Sequence, residues 1–142
     1  MLKLLAKILG NKSTRDIKRL MPLVEQAKQA WDELRALSND ELRAETAELQ
    51  NTINSALKDI DDKLAALHQK IAENPNLDIN EKESIFADID RIEVDRDKEL
   101  EKVLLKVLPR TFAIVRDTAR GFKENSFLEV TAQDFDRKFA AT

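Results

Sequence analysis

The sequence predicts an all-α fold, with amphipathic N-terminal helices followed by a long antiparallel, coiled-coil-like helical hairpin in an elongated chain. Of its 142 residues, 36% are charged and 5% are aromatic, so the apolar material must lie in stripes. Two glycines and three prolines are too few for the tight turns that sheet folds need. Aliphatic side chains recur at spacings of three and four through most of the chain, which is the helical period.

A short basic amphipathic helix is predicted for residues 1–9, ended by Gly10. Its apolar stripe and flanking cations are Leu2, Lys3, Leu5, Lys7, Ile8 and Leu9. We do not expect a secretory signal peptide, because Lys7 interrupts the apolar core and no small-residue cleavage site follows.

Charge is distributed unevenly along the chain. Residues 1–20 contain six Lys and Arg, including Lys12, against one Asp, a net charge of +5. Since the whole chain carries −3, the remainder carries −8. We therefore expect an anionic surface as the partner of the N-terminal segment, and the acidic remainder gives no indication of nucleic-acid binding.

A second amphipathic helix is predicted after a polar break at residues 11–14. Ser13 or Thr14 can cap it, and Pro22 is expected to kink it without interrupting its stripe. That stripe is Ile17, Leu20, Val24, Ala27, Trp31 and Leu34. Because Trp31 lies on the stripe, we predict that it anchors packing and does not bind a ligand.

The long hairpin is predicted to begin at a capping box formed by Ser38 and Glu41, which opens a helix over residues 39–73. Its seam is Leu42, Thr46, Leu49, Ile53, Leu57, Ile60, Leu64, Leu67 and Ile71. Residues 74–76 break the helix, and Asp78 can cap the next one. The second stripe is Ile85, Ile89, Ile92, Leu100, Val103 and Val107, interrupted by Arg96.

The C-terminal region is predicted to kink or to start a fresh helix at Pro109. Its apolar face is Phe112, Val115, Ala119 and Phe122. Residues 123–130 are expected to be irregular or briefly extended, and Thr131 with Asp134 to cap a last short helix. The predicted domain organisation is thus 1–37 for the N-terminal helices, 38–108 for the hairpin and 109–142 for the C-terminal helices.

No catalytic, cofactor-binding or metal-binding residue is predicted. Without Cys and with His68 as the single His, the chain has neither a thiolate zinc site nor a multi-histidine cluster. Carboxylate groups such as Asp59, Asp61 and Asp62 lack pocket-forming sequence and are interpreted as a solvated face. No apolar run approaches the roughly 20 residues that cross a bilayer.

Three stretches and their order resemble the start of SecA, the ATP-driven motor of bacterial protein export. They are MLKLLAKILGNKSTRDIKRL at residues 1–20, LSNDELRAETAEL at residues 37–49 and VLPRTFAIVRDTAR at residues 107–120. The family pattern runs from a basic amphipathic helix through an LSDEEL-type box to an LLPEAFAVVREAA-type helix. The segment 51–106 is longer than the connection common in the family, so the chain resembles a member with an inserted helical hairpin. The family's functions do not explain that hairpin.

The resemblance implies that the parent protein is an ATP-hydrolysing translocase that uses ATP and magnesium. It implies a location at the inner face of the cytoplasmic membrane, with a SecYEG-type channel, anionic phospholipid and preproteins as partners; a homodimer is left open. The family's nucleotide-binding motifs are expected beyond residue 142, so this segment is expected to bind no nucleotide. Membrane and channel contact is expected from Leu2, Lys3, Leu5, Lys7, Ile8, Leu9 and Lys12. Packing on the motor domain is expected from Phe112, Val115 and Phe122, which should be partly exposed here.

Two other interpretations stay open at this point. A stand-alone coiled-coil adaptor would act purely by interaction, and would be favoured by a stop after Thr142. A small membrane-remodelling protein would require the whole chain to bind lipid, and not only its N-terminal segment.

Overall fold

The structure is a computed structural model that describes residues 12–141. Within that range the chain forms four α-helices and no β-strand. They are α1 (Lys12–Leu34), α2 (Asn39–Glu73), α3 (Ile79–Glu124) and α4 (Asp134–Ala140). The all-α prediction is confirmed for this part of the chain, whereas the helix predicted at residues 1–9 lies outside the described residues.

Helix α1 is continuous through Ser13, Thr14 and Pro22, and the kink predicted at Pro22 stays a prediction. Ser13 and Thr14 lie inside this helix, so the predicted cap is wrong. Within a helix each of these residues costs less than ~0.7 kcal/mol relative to Ala, so the helix can include both. Pro22 also lies inside the helix. The apolar stripe ends at Leu34, which is fully buried.

Helix α2 begins at the predicted capping box. The backbone N–H of Ser38 donates to Glu41 Oε2 at 2.8 Å, and the N–H of Glu41 donates to Ser38 Oγ at 3.3 Å. The hydrogen bond from the Ser38 backbone lowers the pKa of the Glu41 carboxyl. The helix covers the predicted residues 39–73.

The chain forms two compact units. The hairpin unit is Ala47–Val107, and the flanking unit combines the described residues before and after it. The three-part division predicted from the sequence stays a prediction.

The hairpin unit consists of the second part of α2, a short loop and the first part of α3. Asp78 caps α3 as predicted, since the N–H of Asn80 donates to its Oδ2 at 3.0 Å. The buried side chains are all aliphatic and come from the two predicted stripes: Leu57, Ile85, Ile89, Val103 and Val107. Arg96 interrupts the stripe and donates its Nε to Asp61 Oδ1 at 2.6 Å. The interpretation of Asp61 as a purely solvated carboxylate is therefore wrong, because it pairs with a cation that lies in the stripe of the other helix.

The C-terminal region differs from the prediction at two residues. Pro109 is buried inside α3 and does not start a new helix. Thr131 does not cap α4, because its N–H and hydroxyl donate to Asp40 at 2.9 and 2.5 Å. Gln133 is the N-cap instead, and its N–H donates to Asp136 Oδ2 at 2.8 Å. The irregular segment predicted at residues 123–130 lies at residues 125–133, because α3 continues through Glu124.

Candidate functional site

The flanking unit is organised around a small buried cluster. Leu34 of α1, Leu42 of α2 and Ala113 of α3 are each at most 9% exposed and pack together. The partly buried side chains around them are Ala30, Trp31, Leu37 and Ile114. Leu34 and Leu42 lie on the predicted stripes of α1 and α2, whereas Ala113 lies beside the predicted apolar face of α3 and not on it. The cluster fixes how α1, α2 and α3 meet within this unit.

Trp31 connects α1 to α3 through a polar network. Its Nε1–H donates to Asp117 Oδ1 at 3.0 Å, and Arg120 Nε donates to the same oxygen at 2.9 Å. The guanidinium carbons of Arg116 and Arg35 lie 3.7 and 5.1 Å from the indole centroid, which is cation–π geometry. Asp117 is only 5% exposed, and Arg120 Nη2 donates to its Oδ2 at 3.2 Å, so both carboxylate oxygens have a donor. The predicted role of Trp31 as a packing anchor is confirmed.

Arg110 joins three helices with one guanidinium. It donates to both oxygens of Glu45 on α2 at 2.5 and 2.8 Å, and to Glu33 of α1 at 3.0 Å. The hydrogen bonds from Arg110 lower the pKa of Glu45, and those to Glu45 raise the pKa of Arg110. The fork has no signature in the sequence, since the partners lie 65 and 77 residues from Arg110 and no local pattern links them.

The segment before α4 is attached to the start of α2 by polar contacts. Asp40 accepts both donors of Thr131, and the hydrogen bond from the hydroxyl lowers the pKa of the Asp40 carboxyl. Arg43 Nη2 donates to Asp136 at 2.6 Å and lowers the pKa of that carboxyl. Asn39 donates its side-chain N–H to the carbonyl oxygen of Glu129 at 2.9 Å. The C-terminal segment is therefore held by specific pairs, and few of its apolar side chains are buried.

An apolar groove of about 460 Å³ lies between α1 and α3 in the flanking unit. Its apolar walls include Leu20, Leu23, Val24, Ala27, Pro109 and Phe112, and it also touches Lys28 and Arg116. A groove with apolar walls and two cationic side chains can accept a helix or a loop of another part of a protein.

The three residues predicted to pack on a motor domain are exposed, as expected. Phe112 and Val115 are each 62% exposed and Phe122 is 69% exposed. Phe112 forms part of the apolar groove, whereas Phe122 lines a more polar cleft near Arg43 and Asp136. The structure therefore places the three on one helix and does not gather them in one pocket.

Of the residues predicted to contact membrane and channel, Lys12 is exposed at the start of α1. The other six, Leu2, Lys3, Leu5, Lys7, Ile8 and Leu9, lie outside the described residues. Within residues 12–141, no helix is long and apolar enough to cross a membrane. The same residues contain no group of three or more His, Cys, Asp or Glu side chains placed to hold a metal ion.

The flanking unit is thus a group of helices fixed by a polar network, with exposed apolar side chains on α1 and α3. The family model of the SecA DEAD-like domain matches residues 5–131. The chain belongs to the SecA family.

Three curated relatives, each named protein translocase subunit SecA, illustrate the similarity. The chain is 50% identical over 141 residues to the protein from Cytophaga hutchinsonii, a match that covers 99% of this chain and 13% of the relative. It is 44% identical to that of Phocaeicola vulgatus (96% of this chain, 12% of the relative) and 41% identical to that of Amoebophilus asiaticus (100% and 13%). The chain therefore spans about an eighth of the length of these relatives. No solved structure matches it.

Proposed function

We propose that this chain is the N-terminal part of an ATP-driven motor of the SecA type, which moves preproteins across the cytoplasmic membrane. In this proposal the flanking unit offers an apolar face to the rest of the motor, and the basic N-terminal segment contacts the membrane and a SecYEG-type channel. The observation that carries the proposal is the exposure of Phe112, Val115 and Phe122 on α3 of a chain that belongs to the SecA family. The name of the relatives, protein translocase subunit, supports this function over a stand-alone coiled-coil adaptor.

The size of the exposed apolar side chains supports a packing face. Burying one Phe or Val side chain contributes about 1.5–3 kcal/mol, and here three of them are more than half exposed. Charged and polar residues would serve a free surface better, since large apolar side chains grouped on a surface favour association. The apolar groove next to Phe112 adds a concave part to the same face. We therefore infer that this face is covered by the remainder of the parent protein.

The charge of residues 1–20 and the apolar stripe predicted for residues 1–9 support the membrane contact. Each Lys or Arg near an anionic bilayer contributes about 1 kcal/mol, and residues 1–20 carry six of them. A leucine stripe with cations along its margins favours reversible adsorption at the inner face of the cytoplasmic membrane. Four of these six cations lie on α1 and are exposed: Lys12, Arg15, Lys18 and Arg19.

The SecA family implies that the parent protein hydrolyses ATP with magnesium. Residues 12–141 hold no candidate metal cluster, and we assign no step of nucleotide hydrolysis to them. Their proposed contribution is to attach and orient other parts of the motor.

The packing face is tested in the full-length parent protein with the double variant Phe112→Ser/Phe122→Ser. We expect a lower melting temperature and weaker preprotein-stimulated ATP hydrolysis, because two buried contacts with the motor domain are lost. The matched control is Phe127→Ser/Phe139→Ser, which removes two equally large, exposed side chains from the C-terminal segment of the same unit. Equal behaviour of the two double variants would contradict the packing role.

The membrane contact is tested by flotation with vesicles of phosphatidylglycerol and with vesicles of phosphatidylcholine. Full-length protein should float with the anionic vesicles, and protein lacking residues 2–10 should not. If both proteins float equally, the N-terminal segment is not the lipid contact.

A further inference from the structure

The part of α3 in the hairpin unit has two apolar faces. One is buried and includes Ile85, Ile89 and Val103. The other is between 45% and 69% exposed and consists of Ile79, Phe86, Val94, Leu104 and Leu105. At about 100° per residue, the two sets fall on faces roughly 120° apart, so the exposed set lies outside the seam of the hairpin.

This exposed face is a property of α3 and not of the hairpin in general. Along α2 in the same unit, every large apolar side chain is at least partly buried. Its exposed positions carry polar, charged or Ala side chains. The hairpin unit therefore has one outer helix face that is polar and one that keeps large apolar groups in solvent.

Carboxylates lie on the same face of α3 as the exposed apolar side chains. They are Glu83, Asp90, Asp97 and Glu101, at spacings of seven, seven and four. We call this set, together with Ile79, Phe86, Val94, Leu104 and Leu105, the acidic apolar stripe.

The negative charge of the acidic apolar stripe is poorly compensated within the unit. Most cations of this part of α3 are engaged elsewhere, in the pairs Arg91–Asp88, Arg96–Asp61, Lys98–Asp95 and Lys102–Glu99. Among the described residues, Glu83, Asp90 and Glu101 form no ion pair, and Asp97 has only a longer-range attraction to Arg96. The stripe therefore presents both apolar area and unpaired anionic charge.

We propose that the acidic apolar stripe docks a basic amphipathic helix of another polypeptide. Its apolar side chains would pack on those of the stripe, and Lys or Arg along its margins would pair with Glu83, Asp90 and Glu101. The stripe runs for about 40 Å at ~1.5 Å per residue, enough for a partner helix of up to about 26 residues. A second copy of the same face and an anionic bilayer are both disfavoured, since each would bring like charges together. This inference does not depend on the proposed function.

The test is fluorescence anisotropy with a labelled 18-residue peptide of Leu and Lys at helical spacing, added to the 142-residue chain. We expect saturable binding that weakens with salt, and no binding of the same peptide with Glu in place of Lys. Phe86→Ser/Val94→Ser should weaken binding at least about tenfold, because these side chains form the centre of the contact. Both residues are about half exposed, so circular dichroism should show unchanged helix content.

Charge variants separate the stripe from the general acidity of the chain. Glu83→Gln/Asp90→Asn/Glu101→Gln should weaken binding about tenfold, whereas Glu48→Gln/Asp59→Asn/Glu73→Gln on α2 should leave it within about twofold. Equal weakening by the two triple variants would overturn the proposal. Self-association of the chain that Phe86→Ser/Val94→Ser abolishes would also overturn it. In the full-length parent the two triple variants should differ in peptide binding in the same direction. Loss of peptide binding by the unmodified parent would overturn the proposal, because the parent itself would then cover the stripe.

Discussion

The two units of this chain are stabilised in different ways. In the hairpin unit an aliphatic seam is buried and one ion pair, Arg96–Asp61, joins the two helices, while the other ion pairs are between residues three or four apart. In the flanking unit a small cluster is surrounded by long-range polar pairs, among them Arg110–Glu45 and Trp31–Asp117. Repetitive packing is thus encoded by periodic sequence, whereas the unit with the proposed packing face depends on individual distant pairs.

The largest loss of stability is expected from a substitution in the buried cluster of the flanking unit. Leu34→Ala should lower the free energy of unfolding by about 2–5 kcal/mol, because Leu34 is fully buried and the cavity closes only in part. Urea unfolding followed by circular dichroism measures it. Leu20→Ala, at a 57% exposed position of the same helix, is the control and should cost less than about 1 kcal/mol. Equal losses would mean that the cluster is not the core of this unit.

A smaller loss of stability is expected when one arginine of each unit, Arg110 or Arg96, is replaced by lysine. Arg110→Lys keeps the charge but removes the fork to Glu45 and Glu33, and should cost about 1–2 kcal/mol. Arg96→Lys in the hairpin unit should cost less than about 1 kcal/mol, since its second bond to Asp61 is 3.5 Å long. The urea midpoints of the two variants measure the two losses. A larger loss for Arg96→Lys than for Arg110→Lys would contradict the prediction.

Acid should weaken the flanking unit through its long-range carboxylates. The pKa values of Glu45, Asp40 and Asp136 are lowered by Arg110, Thr131 and Arg43, so these pairs stabilise the fold fully above the ordinary carboxyl range. The stability that these pairs contribute is lost as the pH falls below about 4 and then through the lowered pKa values of the three carboxyls. Unfolding free energy measured from pH 7 to pH 2.5 should fall less steeply in Glu45→Gln than in the unmodified chain. Parallel pH profiles would show that the Arg110 fork does not contribute.

The smallest effect is expected for the exposed pairs of the hairpin unit. Lys58 and Asp62 are four residues apart with side chains 68% and 63% exposed, so Lys58→Ala should change stability by at most about 0.5 kcal/mol. Thermal unfolding at low and high salt provides the measurement. A loss above about 1 kcal/mol would mean that such pairs, and not the seam, stabilise the hairpin.

Most of the fold could be predicted from the sequence, because its signals are local. Ser38 and Glu41 lie three residues apart and place the start of α2, and the aliphatic period marks the seam as far as residue 73. The failures are at Ser13, Thr14 and Pro109, whose local preferences for helix ends are overridden in the folded chain. The cap predicted at Thr131 is wrong because this residue pairs with Asp40, 91 residues away, which no local pattern indicates.

The candidate site was only partly predictable. Phe112, Val115 and Phe122 lie on an apolar face that residues 12–141 leave exposed, as the sequence predicts. The apolar groove needs α1 and α3 side by side, and no spacing within either helix specifies that pairing. The Arg110 fork is unpredictable in the same way, because a guanidinium can pair with any of 27 carboxylate side chains.

Trp31 is the only tryptophan in the chain, and its indole lies against Arg116 and Asp117 in the flanking unit. Its ultraviolet emission therefore originates from that unit alone, and the hairpin unit is optically silent at the same wavelengths. Arg116 also lines the apolar groove, so an occupant that displaces this guanidinium would alter the emission without any attached dye. The protein thus contains its own reporter of what fills the groove.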